Sequence, residues 1–301
     1  MKTFTKVALI VAGVTLSAGI ALTVVGTIAN KYKPIHMYYD HGFHIDSEGK
    51  TVEMKKTVVD DFKNVNIDVS AGDIKFIESD EYAVEYKLRA KEVICESEDG
   101  TLTVEDKSFK FDINFFSFNF EDHEHYVYVY YPKDANFDEL MIDLSAGDVT
   151  IENGMDCEKV TFDMSAGDIN INGVSGDLVL KMSAGDFTAK NCEFGYSDFK
   201  MSAGDVVLDN CTIAGGKLDM SAGDFDARSL NLTDSFSIDM SAGSADIEFI
   251  PGLSIGYDFD LSAGSAKING EKKGDEYQQI KGYDIILSAE MSAGSLNITN
   301  E

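Results

Sequence analysis

The chain has 301 residues, with 53 acidic against 25 basic, a formal net charge of −28 at pH 7, and 26 glycines beside 3 prolines. That balance excludes nucleic acid as a natural partner, because phosphate binding needs a basic footprint. It also opposes anionic membrane surface and anionic wall polymer unless a divalent cation intervenes, and it favours cationic ligands.

At the N-terminus, Lys2 and Lys6 precede 23 residues without a charge, Val7 to Ala29, and Lys31 and Lys33 follow. As a helix this stretch spans about 35 Å, enough for a hydrocarbon core of about 30 Å. A cleaved signal peptide has a shorter apolar region, roughly 7–15 residues, and the cleavage site on offer, Thr27-Ile28-Ala29, is weak. The reading is a single-pass cell-membrane anchor over residues 1–33, with its helix at 7–29. Lysines at both ends leave the positive-inside rule nearly silent. The signal-like start and the acidic remainder favour an extracytoplasmic C-terminal part.

Residues 34–57 read as an irregular juxtamembrane segment. They hold His36, His41 and His44, and the other histidines, His123 and His125, form a second cluster. In His123-Glu124-His125 both imidazoles fall on one face of a strand, a workable zinc pair. Nothing in the sequence brings the two clusters together, and a solvated loop and strand end explain them as well.

From Asp61 to Tyr131 alternation of apolar and polar residues predicts strands, with Val65, Ile67 and Val69 leading into Ser70-Ala71-Gly72. The 75 residues between Ser70 and Ser145 have room for three or four coils with longer loops. Phe109, Phe111, Phe115, Phe116, Phe118 and Phe120 form a dense aromatic run within them, either core or an exposed lip.

Beyond that point the chain repeats. Ser-Ala-Gly recurs at Ser145, Ser165, Ser183, Ser202, Ser221, Ser241 and Ser262, in steps of 20, 18, 19, 19, 20 and 21 residues, and again at Ser292. A fixed period in that range marks a solenoid. The residue before each Ser is Val, Leu or Met and the residue two earlier is mostly apolar, as at Phe199 and Met201, which is strand periodicity. After the Gly the phase slips, so each coil of about 19–20 residues reads as three short strands with two tight corners and one longer loop. The inward set includes Phe187, Ala189, Cys192, Phe194, Phe199, Met201 and Ala203. Asn191 and Asn210 occupy equivalent corners one coil apart. Stacked parallel strands with right-handed crossovers give an all-β fold, a right-handed parallel β-helix over residues 58–301.

Three segments carry a family likeness: FKNVNIDVSAGDIKFIESDEYAVEY, then Asp99-Gly100 leading into LTVED, then YVYVYYPKDANFDELMIDLSAGDVTI. They resemble the bacterial LiaG-like putative-adhesin family of β-strand repeats, over residues 58–301, with the Tyr131-Pro132-Lys133-Asp134 hinge the most distinctive part. The resemblance implies an extracytoplasmic, envelope-associated protein, sometimes linked to envelope stress, and brings no catalytic residues.

Cys192 and Cys211 each lie nine residues after their Ser, so they stack in adjacent coils, where either a disulfide or buried free thiols fit. There is no CxxC motif. Asp148, Asp168, Asp186, Asp205 and Asp224 follow the Gly in five successive coils and form a column about 4.8 Å apart. Each carboxylate either accepts N–H groups of its own turn or shares a calcium ion with its neighbour, with Ser hydroxyls and carbonyls completing the shell. No other cofactor is expected. In the final coil Met291, Ala293, Leu296 and Ile298 would face inward and leave an open end, which residues 271–284 are expected to cover in part.

Catalysis on acidic sugars would need arginines, and the chain has only Arg89 and Arg228. Hydrolysis needs two carboxylates in unequal surroundings, whereas these acids recur identically from coil to coil. The expectation is a non-enzymatic scaffold or interaction module binding a cell-envelope component or protein. The alternative is an acidic surface for calcium or cationic peptides, and a carbohydrate-active β-helix enzyme ranks behind both.

Overall fold

The computed structural model describes residues 51–107 and 124–300, together with the backbone of 36–39 and 43–46. The two short strands His36–Tyr39 and Phe43–Asp46 pair antiparallel as a hairpin. Most of the remaining strands form a parallel solenoid with one apolar core, and no helix occurs among the described residues.

The coil of Ser202 shows how the sequence makes the fold. Phe187–Lys190 alternates inward Phe187 and Ala189 with outward Thr188 and Lys190, a half-buried strand. Asn191 then turns the chain with φ 52°, a conformation Asn tolerates better than most residues. Glu193–Met201 follows, burying Phe194, Phe199 and Met201. Three short strands per coil are present, but in several coils the second and third run together through an irregularity in register, as in Met155–Ala166. One expectation is corrected at the corner. Ala203 and Ala293 are exposed, because in these two coils the strand ends at the Met and the chain leaves the sheet at the Ser.

Equivalent residues stack in register through ten layers. One inward column runs Val127, Ile74, Val149, Ile169, Phe187, Val206, Phe225, Ala245, Leu296 and Ala266. Another places six methionines in succession, Met164, Met182, Met201, Met220, Met240 and Met291. Packing also reaches across layers. Gly216 and Ser197 leave room in their column, and Phe236 fills it, meeting Phe199 edge-on with ring centroids 6.3 Å apart.

At both ends the spatial order departs from the chain order. The Ser70 coil lies between the pair Thr101–Asp106 with Tyr126–Pro132 on one side and the Ser145 coil on the other. The described residues between Ser70 and Ser145 thus supply one further layer, not three or four. They also supply two antiparallel cap strands, Ala83–Arg89 on Tyr126–Pro132 and Val93–Glu98 on Thr101–Asp106. At the other end the Ser292 coil is inserted between the Ser241 and Ser262 coils, so the terminal layer is that of Ser262. Residues 271–284 do cover an end, through Glu271–Lys272 on Gly264–Ile268 and Glu276–Gln279 on Ile255–Leu261, but the coil of Met291 and Leu296 is interior.

The expected membrane helix at 7–29, His41, His123 and the phenylalanine run from Phe109 to Phe120 lie outside the described residues. Among the described residues no helix is long and apolar enough to cross a membrane.

Candidate functional site

The aspartate column is a hydrogen-bonded ladder. Asp148 N–H donates to Asp73 Oδ1 at 3.1 Å, and Asp168 N–H to Asp148, Asp186 N–H to Asp168 and Asp205 N–H to Asp186, each at 2.9 Å. Asp224 N–H reaches Asp205 at 2.8 Å, and Ser244 N–H closes the series on Asp224 at 2.7 Å. Each carboxylate therefore accepts from the next coil, not from its own turn as the sequence suggested. All of these aspartates are exposed. Among the described residues no group of three or more His, Cys, Asp or Glu side chains is arranged to hold a metal ion. Asp73 belongs to the ladder too, and its Ser-Ala-Gly-Asp motif could have identified it despite the long gap to Ser145.

A parallel ladder runs along the second corner. Asn210 Nδ2 donates to Asn191 Oδ1 and Asn191 Nδ2 to Asn172 Oδ1, both at 2.8 Å, and Asn172 Nδ2 donates to the Glu152 carbonyl at 2.9 Å. These side chains tie layers together without involving the core.

The charged feature that sequence reading missed is the column just before the methionines. In spatial order it reads Glu105, Asp68, Asp143, Asp163, Lys181, Lys200, Asp219, Asp239, Glu290 and Asp260. Two lysines thus sit in the middle of a carboxylate stripe. Lys181 pairs with Asp163 at 3.5 Å and Lys200 with Asp198 at 3.3 Å, while Lys217 bridges Asp198 and Asp219 at 3.5 and 3.2 Å. Burial, then the charge of Asp163, raises the pKa of Asp143, with Lys181 opposing. Beside this stripe lies a groove of about 570 Å³ that crosses five coils, from Asp163 to Ser241. Ser183, Ser202, Ser221 and Ser241 line it together with Lys181, Lys200 and the methionines Met164, Met182, Met201 and Met220. Reading the sequence along the coils, instead of along the chain, exposes the stripe.

The second polar surface is aromatic. Tyr126 and Tyr128 stack with centroids 4.3 Å apart, and the hydroxyls of Tyr126 and Tyr130 donate to Glu85 at 3.0 and 3.2 Å. Lys56 lies 4.2 Å from the Tyr130 ring centroid.

The four cysteines are free thiols. Burial pushes Cys95 up to about 11 and Cys157 up to about 12, and the hydrogen bond with Cys211, then burial, pushes Cys192 up. Thiols held protonated in this way are poor nucleophiles. His125 contributes its carbonyl, which accepts the Asp73 N–H at 2.9 Å.

No curated protein matches the chain. Several solved structures are similar to it at low identity. One described as a putative adhesin from Parabacteroides merdae is 12% identical, covering 83% of this chain and 97% of its own, with a TM-score of 0.44. A putative lipid binding protein from Parabacteroides distasonis is 15% identical, covering 84% and 96%, at 0.43. A putative adhesin from Bacteroides fragilis is 14% identical, covering 83% and 98%, at 0.39. The sequence profile of one family, described as Toastrack DUF4097, matches residues 62–295, and this chain belongs to that family.

Proposed function

We propose that the chain is a membrane-anchored, extracytoplasmic right-handed β-helix that acts as a cell-envelope scaffold or interaction module, of the adhesin type and associated with envelope stress, and not as an enzyme. The observation that carries this reading is the groove along the charged stripe, to which each of five coils gives a charged residue and four of them a Ser as well. Such a periodic surface suits an extended partner that contacts several coils, whereas catalysis needs one site unlike its surroundings. Capture of envelope components by the purified protein, compared at low and high salt, is the test. Reversing Lys181 and Lys200 to Glu is expected to abolish capture through the groove. Capture that is unchanged by the reversal places the interface elsewhere.

The exposed aspartate ladder favours a second reading, an acidic surface for calcium or cationic peptides. Binding of basic peptides that vanishes at high salt and ignores the lysine reversal supports it.

A further inference from the structure

The Ser292 coil is the only hydrogen-bonded bridge, among the described residues, between the Ser262 coil and the body of the solenoid. Ile285–Met291 pairs with Phe236–Met240 on one edge and with Ile255–Leu261 on the other. Gly294–Thr299 likewise pairs with Gly243–Phe249 and with Gly264–Ile268. Among the described residues no strand ladder joins the Ser241 and Ser262 coils directly. The inserted coil is fixed from inside by Leu287, Ala289, Met291, Leu296 and Ile298, all buried.

On its outer face hydrogen bonds and like charges act against each other: Asn297 Nδ2 donates to Asp246 Oδ1 at 2.6 Å, Ser295 Oγ to Ser244 Oγ at 3.2 Å, Ile286 N–H to Ser235 Oγ at 3.0 Å and Asn300 Nδ2 to the Tyr257 hydroxyl at 3.0 Å. Glu290 stands in register with Asp239 on one side and Asp260 on the other. Among the described residues no lysine or arginine pairs with any of the three. Carboxylates one coil spacing apart repel even in water, and salt screens them. The approach to the coil is an exposed turn at residues 280–284, where Gly282 has φ 94° and open space around it. A strand pair with an apolar inner face is thus seated between two edges, sets like charge against like on its outer face, and is reached through a short surface turn closed by Tyr283 N–H donating to the Ile280 carbonyl at 3.2 Å.

We infer that the Ser292 coil is a clasp that opens and can seat in a second copy of this chain. When it withdraws, Phe236–Met240 and Gly243–Phe249 present an unpaired edge whose complement in backbone register and inward side chains is the same coil. A second copy supplies that coil with the original contacts, so exchange costs little beyond association. The turn at 280–284 is the hinge. Low ionic strength favours opening, and charge reversal at Glu290 closes the clasp.

Hydrogen exchange on the full chain at low salt tests the opening. Peptides from residues 255–300 are expected to exchange as one unit, about tenfold or more faster than the Ser183 and Ser202 coils. Glu290→Lys, which turns two repulsions into attractions, is expected to slow them by about tenfold. Exchange between copies is read with Ser237→Cys and Ser288→Cys, residues in register on neighbouring strands. Oxidised after equilibration over a range of protein concentrations, this variant is expected to give a covalent dimer whose fraction rises with concentration and falls when Glu290→Lys is added. Exchange of 255–300 no faster than the central coils overturns the proposal, and so do crosslinks that stay within one chain at every concentration.

Discussion

At Asp186 and Asp205 one side chain does two opposing things. Its Oδ1 accepts the N–H of the next coil, a bond to a charged group worth about 1.5–3 kcal/mol. Its charge meets like charges about 4.8 Å away, at a cost of just under ~1 kcal/mol per neighbour in bulk water. With two neighbours the repulsion comes to just under ~2 kcal/mol, so the acceptor roughly offsets it, and exposure reduces both. Asn keeps the acceptor and removes the charge, so Asp186→Asn with Asp205→Asn is expected to match or exceed the parent in urea denaturation. The corresponding Ala pair should lose roughly 1–3 kcal/mol. The same variants separate the ladder from an ion: a melting temperature that calcium raises in the parent but not in the Asn pair would assign the column to calcium. Asp226 gives a pH-dependent counterpart. Burial, then Asp246 and Asp224, raise its pKa against the pull of Arg228. Because the folded value lies above the unfolded one, ionised Asp226 costs stability at neutral pH, and that cost disappears as pH falls below the ordinary carboxylate range. Asp226→Asn is accordingly expected to stabilise at pH 7 and to have no effect near about pH 3, in paired denaturation curves.

The coil itself was legible because its physics is local. Alternating apolar residues, the Ser-Ala-Gly corner and the Asn corner each act within a few residues, and all appear where the spacing put them. The reason for the corner glycine was only half legible. Gly204 has φ 119°, which the sequence anticipated, but a Cβ there would also strike the carbonyl oxygen of Gly185 in the preceding coil, a contact that exists only once the layers stack. The carboxylate ladder was missed for the same reason, since it too depends on the neighbouring coil. Backbone strain and overpacking together should make Gly204→Val cost roughly 2–6 kcal/mol. Lys200→Ala, on the same coil, removes a half-exposed ammonium and its pair with Asp198, and should cost no more than about 1 kcal/mol. Equal midpoints for the two in chemical denaturation would reject the close approach of the glycine column.

On the scale of the whole molecule, layer order was the least legible property. Every layer presents the same period-2 pattern to its neighbours, so an inserted coil satisfies the register as well as an appended one. The 30-residue step from Ser262 to Ser292 announces extra chain but not the direction in which it folds. What closes the stack is more specific. Glu276–Gln279 lies antiparallel on Ile255–Leu261, with the Tyr277 ring 6.0 Å from that of Phe259 and Lys273 over its face at 5.3 Å. A parallel stack without such a strand ends in a row of unpaired N–H and C=O groups, the surface on which other chains pair. In an antiparallel pair alternate residues point their N–H groups at the partner, so Tyr277→Pro with Gln278→Pro removes a ladder donor whichever residue supplies it. The double variant is expected to keep its far-ultraviolet β signal, because the inner layers remain paired, while light scattering shows association that grows with concentration. A variant that stays monodisperse up to millimolar protein would mean that the terminal layer is protected by something other than its cap strand.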